Sequence, residues 1–114
     1  MDDEAIEAKV RSTFSTVQGW ARQSFPTPWP EVGSELHDDD RDWPALPVSE
    51  VARRGLSVAS DHLLALRLHV ENKQFAFADM TLCRSALLGA ATAVWVLAPA
   101  EPAVRIARAR TVAF

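Results

Sequence analysis

The stretch 85–100, SALLGAATAVWVLAPA, runs for sixteen residues without a charge. Nothing else in the chain restricts its fold so strongly. A transmembrane helix needs about 20 apolar residues; this run is shorter, follows directly on Arg84 and ends around Pro99. The expectation is therefore a core helix and no membrane span. A helix apolar on nearly all sides belongs in the middle of a bundle or at an interface. Within the wider segment 74–97, one face carries Phe77, Thr81, Arg84, Leu88, Ala91 and Trp95. The opposite face carries Ala78, Leu82, Ala86, Gly89 and Ala93. The second face is mostly small, so a neighbouring helix can approach its backbone closely.

The rest of the chain supplies candidate neighbours. Residues 3–24 read as an amphipathic helix, with Ile6, Val10, Phe14, Val17 and Ala21 at three- and four-residue steps and Trp20 beside them. Asp2 and Asp3 can cap its start, Glu7 and Arg11 stand at i,i+4, and Phe25-Pro26 ends it. Residues 49–72 repeat the pattern through Val51, Val58, Ala59, Leu63, Leu66 and Val70, with Ser49 as N-cap and Asn72 as C-cap. Gly55 interrupts it, either breaking the helix in two or letting another helix come close. After Pro99, Pro102 opens a last helix at the favoured first position.

Between the first two helical segments lies 25–47, with five of the seven prolines. Alternating Pro26, Pro28 and Pro30 cannot propagate a helix. Trp29, Trp43 and Leu46 argue for packing, so this segment is expected to be an ordered strap across the helices, with the acidic run 37–42 at its exposed turn. No strand pattern appears. The expected fold is all-α: one domain over 1–114, a small bundle of four to five helices with a Pro/Trp-containing ordered loop. The absence of a C-cap signal before Phe114 suggests the N-terminal part of a longer protein or a helix that frays into a partner.

Charge narrows the partners. The net charge is -3, with eleven acids against six bases in 1–57 and four against six in 58–114. There is no global basic footprint for nucleic acid. Ten arginines against two lysines point first to GC-rich codon usage. Cys83 is the only cysteine, so no internal disulfide can form and a reducing, cytoplasmic setting is expected, with Cys83 in the core. The start, MDDEAIEAK, does not read as a secretory signal.

Few residues invite chemistry. Asp38, Asp39, Asp40 and Asp42 formally match the aspartate-rich DDxxD motif of isoprenoid synthases, but Trp43-Pro44 follows at once and the chain is far too short for that fold. As an EF-hand loop the stretch has Trp43 where glycine is required and Ser49 at the twelfth position. His62 and His69 are seven apart, about 10.5 Å along a helix, too far to share a metal. Arg84 is the only charge between Asp79 and Glu101. A guanidinium inside an apolar run must be paired or reach water. Asp61, Glu71 and Asp79 are its candidate partners in a buried ion pair. The alternative is an anion-binding arginine in a cavity, between Trp95 and Phe77, aided by Arg105 or Arg108. Arg105, Arg108 and Arg110 lack interleaved aromatics and read as surface residues.

The segments SDHLLALRLHVE, FADMTLCRSALLGAATAVWVLAP and RIARAR, within 60–110, resemble a pattern in uncharacterised helical proteins of GC-rich bacteria. There an Asp-His-Leu helix start precedes a helix of the type LxRxALxxAAxAxWxL-P and then an arginine-rich helix. The resemblance implies an all-helical fold and no activity. It also associates an acid with the position of Gly89, and the absence of that acid here weakens an Arg84–acid pair within that helix. A comparison with HEPN-like helical RNases finds no match to their arginine-then-histidine spacing: Arg54 is too far before His62 and Arg67 too close to His69. The expected function is a non-enzymatic interaction module, a homo-oligomer or one covered by a further C-terminal segment, through 77–97 and the last helix. No cofactor, metal or catalytic residue is expected. The alternatives are a HEPN-like RNA-processing or toxin-type protein and a small-anion binder, built from Arg84, His62, His69, Trp95, Phe77, Arg105 and Arg108.

Overall fold

Asp2 starts the first helix: its carboxylate accepts the Ala5 N–H at 2.7 Å, the cap that the sequence announces. The computed structural model describes residues 2–22, 29–72 and 76–112. Its elements are α1 (Asp3–Ser12), α2 (Phe14–Arg22), α3 (Glu35–Asp42), α4 (Val48–Asn72), α5 (Ala76–Leu97) and α6 (Pro102–Val112), with no strand among the described residues. The fold is an all-α bundle. The expected helix stop at Phe25-Pro26, the path through Pro28 and the chain end at Phe114 lie outside the described residues.

Two elements depart from expectation. The first helical segment is divided at Thr13. Ser12 and Thr13 turn their hydroxyls back onto the Lys9 and Val10 carbonyls at 2.6 and 2.7 Å, the local bonding that competes with a helix ladder. Residues 37–42, expected as an exposed turn, belong to a helix, α3. Gly33, at φ +90°, turns the chain into it, and the Ser34 hydroxyl then accepts the His37 N–H at 3.1 Å. Of the strap's anchors, Leu46 packs beside the core and Trp43 is partly exposed.

α4 and α5 form the body, an antiparallel hairpin in contact along its length. Gly55 does not break α4. It faces Gly89 of α5, and the fit is so close that a Cβ on either glycine would fall 2.7 or 2.6 Å from the other's carbonyl oxygen. Ala52, Ala59, Ala86 and Ala93 are buried around this contact. The small face of α5 is thus its inner face. At the far end, Val48, Val51, Val96 and Ala109 form a second packed cluster with Leu36, Leu46 and Ile106 against it. This brings α3 and α6 onto the hairpin. α1 buries nothing and packs mainly against α2 among the described residues. The molecule is elongated, 50 × 27 × 22 Å with a radius of gyration of 16.8 Å, against about 13 Å for a compact chain of this length.

Candidate functional site

The most buried charge among the described residues is Asp39, 1% exposed, from the run expected to be solvated. It lies on the α3 face that also carries Leu36, and it meets Arg105 of α6, 4% exposed. The pair is bidentate, Nε to Oδ2 at 2.5 Å and Nη2 to Oδ1 at 3.0 Å. Arg105 Nη1 also donates to the Pro99 and Ala100 carbonyls at 2.8 and 3.0 Å. The hydrogen bonds it donates to Asp39 hold this guanidinium above its ordinary range, against the opposing effect of burial. Neighbouring Asp40 takes the Ser49 N–H at 3.1 Å and its hydroxyl, so it caps α4 in place of Ser49. Two of the acidic residues thereby fasten α3 to α6 and to α4. They diverge, and none forms part of a metal-binding cluster among the described residues.

The candidate ligand residues are likewise dispersed. Arg105 is committed to Asp39. Arg108 stacks over Trp95, 4.6 Å from the ring centroid, and donates to the Trp95 carbonyl at 2.8 Å, closing the C-terminal end of α5, which has no basic residue of its own there. Arg110 covers Trp43 at 4.6 Å in the same manner. His69 donates from Nδ1 to Asp79 at 2.9 Å and ties α4 to the start of α5. His62 Nδ1 donates to the Val58 carbonyl at 2.7 Å. Phe77 lies on α5, its side chain outside the described residues. No cavity gathers these groups around Arg84, because Arg84 is not inside. It is exposed, on the outer side of α5, with no hydrogen bond or ion pair among the described residues. The expected buried ion pair through Arg84 is corrected accordingly: α5 turns its small face inward, and Arg84 goes out with the large residues. Cys83 is exposed as well, not in the core.

The outer side of α5 is the unusual surface of the molecule. Met80, Leu87 and Val94 are 71, 70 and 66% exposed. They are spaced by seven, the repeat that keeps side chains in one line along a packed helix. Leu88 and Trp95 stand beside them, also exposed. The stretch Ala78–Leu97, with mean hydropathy 1.5, is long and apolar enough to cross a membrane, and only 22% of it is buried. The expectation of a core helix holds for the inner face, where Ala86, Ala93 and Val96 are buried, and fails for the outer one. Two grooves flank α5. One, about 880 Å³, runs between α2, α4 and α5 and is bordered by Trp20, Leu56, Asp61, Leu64, Cys83 and Leu87. The other, about 710 Å³, lies on the opposite side of the glycine crossing and contains His62, Leu88 and Gly89.

No family model, curated protein or solved structure matches the chain.

The α4 start carries a surface device with a readable pH signature. Arg53 and Arg54 both bind Glu50, Arg53 at 2.5 Å. The Arg53 hydrogen bond, with burial opposing, holds the Glu50 carboxyl below the usual carboxylate range. The folded value lies below the unfolded one, so this contribution is present at neutral pH and is lost as pH falls through the folded value. Glu50→Gln is expected to flatten the acid limb of a stability-versus-pH curve slightly, by about 0.5 kcal/mol for so open a cluster. An unchanged acid limb would show that the cluster contributes nothing.

Proposed function

We propose that the chain is a non-enzymatic, helix-mediated self-association module whose contact surface is the outer face of α5. The supporting observation is the line Met80–Leu87–Val94, about two-thirds exposed at heptad spacing on a helix that the chain itself leaves largely bare. Continuous exposed apolar surface of this kind marks contact sites. A lipid contact is less well supported. α4 lies along the whole of α5 and would bring Arg53, Arg54, Asp61, Arg67 and Glu71 with it, and charges in hydrocarbon carry a large penalty. The RNA-processing and anion-binding alternatives gain nothing from the geometry: Arg54, Arg67 and Arg105 are ion-paired and His69 is held by Asp79. A reducing, cytoplasmic setting belongs to the same proposal, since Cys83 stands as an exposed thiol beside the contact face.

Light scattering coupled to size exclusion, over a wide concentration range, tests this. The mass is expected to rise from 12.5 kDa to twice that value, and Leu87→Lys combined with Val94→Lys is expected to remain monomeric with unchanged helicity. A monomer at every concentration, or flotation of the wild type with neutral phosphatidylcholine vesicles, would overturn the proposal.

A further inference from the structure

We infer that the occupant of the α2–α4–α5 groove is α5 of a second copy of this chain, locked in register by reciprocal ion pairs between Arg84 of one copy and Asp61 of the other. The inference rests on the self-association reading and adds the mode of pairing. Three observations lead to it.

The first is charge. Arg84 and Asp61 are opposite charges, both exposed, and neither makes a hydrogen bond or ion pair among the described residues. The other charges on the described residues of the hairpin are matched: Glu50 with Arg53 and Arg54, Arg67 with Glu71, and Asp79 with His69. Asp61 borders the larger groove, and Arg84 follows Cys83, which borders the same groove from α5.

The second is level. The hairpin is antiparallel, with Gly55 against Gly89 and His69 against Asp79. Asp61 lies six residues beyond Gly55, and Arg84 five residues before Gly89. At 1.5 Å per residue the two charges stand at the same height along the hairpin to within about 2 Å. A two-fold axis parallel to the hairpin keeps heights unchanged between copies, and the isologous contact it generates is reciprocal. Arg84 of each copy then meets the partner's Asp61 without a shift in register, and the pair occurs twice.

The third is shape. The groove is an apolar trough bordered by Trp20, Leu56, Leu64 and Leu87, and the ridge offered to it is Met80–Leu87–Val94. α5 is 22 residues long, about 33 Å, and the charge level lies roughly two turns from its start and more than three from its end, so the ridge extends to both sides of it. Seating α5 of each hairpin against α4 of the other closes a four-helix arrangement in which the bare apolar faces cover one another. The charge within an otherwise apolar strip fixes the register, as polar pairs do at helix interfaces.

Charge reversal and exchange test the pairing. Asp61→Arg, Arg84→Asp and the double variant are compared with wild type by sedimentation equilibrium, with circular dichroism to show that each folds. Both side chains are exposed and unpaired within the chain, so the monomer is expected to be undisturbed. Each single reversal is expected to raise the dimer Kd roughly tenfold or more, and the double variant to return it to near the wild-type value. Self-association that is equally strong in all four proteins, or a double variant as weak as the singles, would overturn the ion-pair register while leaving the α5 contact intact. A wild type that stays monomeric would remove the self-association reading and this inference with it.

Discussion

Replacing Arg105 by alanine is expected to destabilise the chain by about 3–5 kcal/mol, the range for removing one member of a buried ion pair. The loss has three parts. Asp39, 1% exposed, keeps its charge without a counter-ion. The Pro99 and Ala100 carbonyls lose their donor, so the α5–α6 connection opens. α3, an eight-residue helix whose two acidic contacts to α6, Asp39 and Glu35, both go to Arg105, loses them together. A domain of this size is stable by only about 5–15 kcal/mol, so the midpoint of thermal unfolding should fall by more than about 10 °C. Asp39→Asn preserves the shape but removes the charge and one of the two acceptor oxygens facing the guanidinium, leaving it the exposed Glu35 carboxylate at 3.5 Å and the two carbonyls, and about 2 kcal/mol or more should be lost. Arg108→Ala is the comparison: it removes a partly exposed stacking contact on Trp95 and one carbonyl bond, for about 1 kcal/mol. The combination Asp39→Leu with Arg105→Met should recover much of the single-variant loss, because a hydrophobic pair carries no desolvation penalty. A stability of Arg105→Ala within 1 kcal/mol of wild type would show that the pair does not hold α3 and α6 in place.

The local elements of this fold are legible in the residues. Asp2 caps α1, Glu7 and Arg11 pair at 2.9 Å, Pro102 opens α6, and the small face of the apolar helix meets a neighbour through Gly55. The functional surface is harder to read, for a physical reason. α5 is apolar on every side, so hydrophobic periodicity does not say which side is buried. Size decides it: Ala86, Gly89 and Ala93 let α4 approach, and Leu87, Val94 and Arg84 are left outside. Pairing a glycine near the middle of one helix with a glycine in the next was the available signal for that choice. The Asp39–Arg105 pair had none of comparable strength. Its partners are 66 residues apart, and each sits among like charges that read as solvated. Only Ser34, a helix cap three residues before His37, and the spacing of Leu36, Asp39 and Trp43 hinted that the acidic run has an inner face.

Gly55→Ala and Gly89→Ala are each expected to destabilise the hairpin by about 2 kcal/mol or more, with the larger loss for valine. Alanine in place of glycine ordinarily gains about 1 kcal/mol in a helix interior, so the sign of the result discriminates. At Gly55 the added Cβ lies 2.7 Å from the Gly89 carbonyl oxygen, and at Gly89 it lies 2.6 Å from that of Gly55. Both obstacles are backbone, which cannot rotate away, so the two helices must part by several tenths of an ångström. Overpacking of this kind costs about 1–3 kcal/mol. Separation also loosens the contacts of Ala52, Ala59, Ala86 and Ala93 around the crossing. The two substitutions share one gap, so the double variant should lose less than the two singles together. Gly19→Ala supplies the contrast: nothing lies within 4 Å of its Cβ position, and it should stabilise α2 by up to about 1 kcal/mol. Urea unfolding of the five proteins decides the matter, and stabilisation by Gly55→Ala comparable to that by Gly19→Ala would sink the close-approach account. The crossing also sets the spacing of α4 and α5, and hence the width of the groove that Asp61 and Leu87 border. Neither glycine belongs to the outer ridge, yet both alanine variants should weaken self-association in proportion to how far they part the helices.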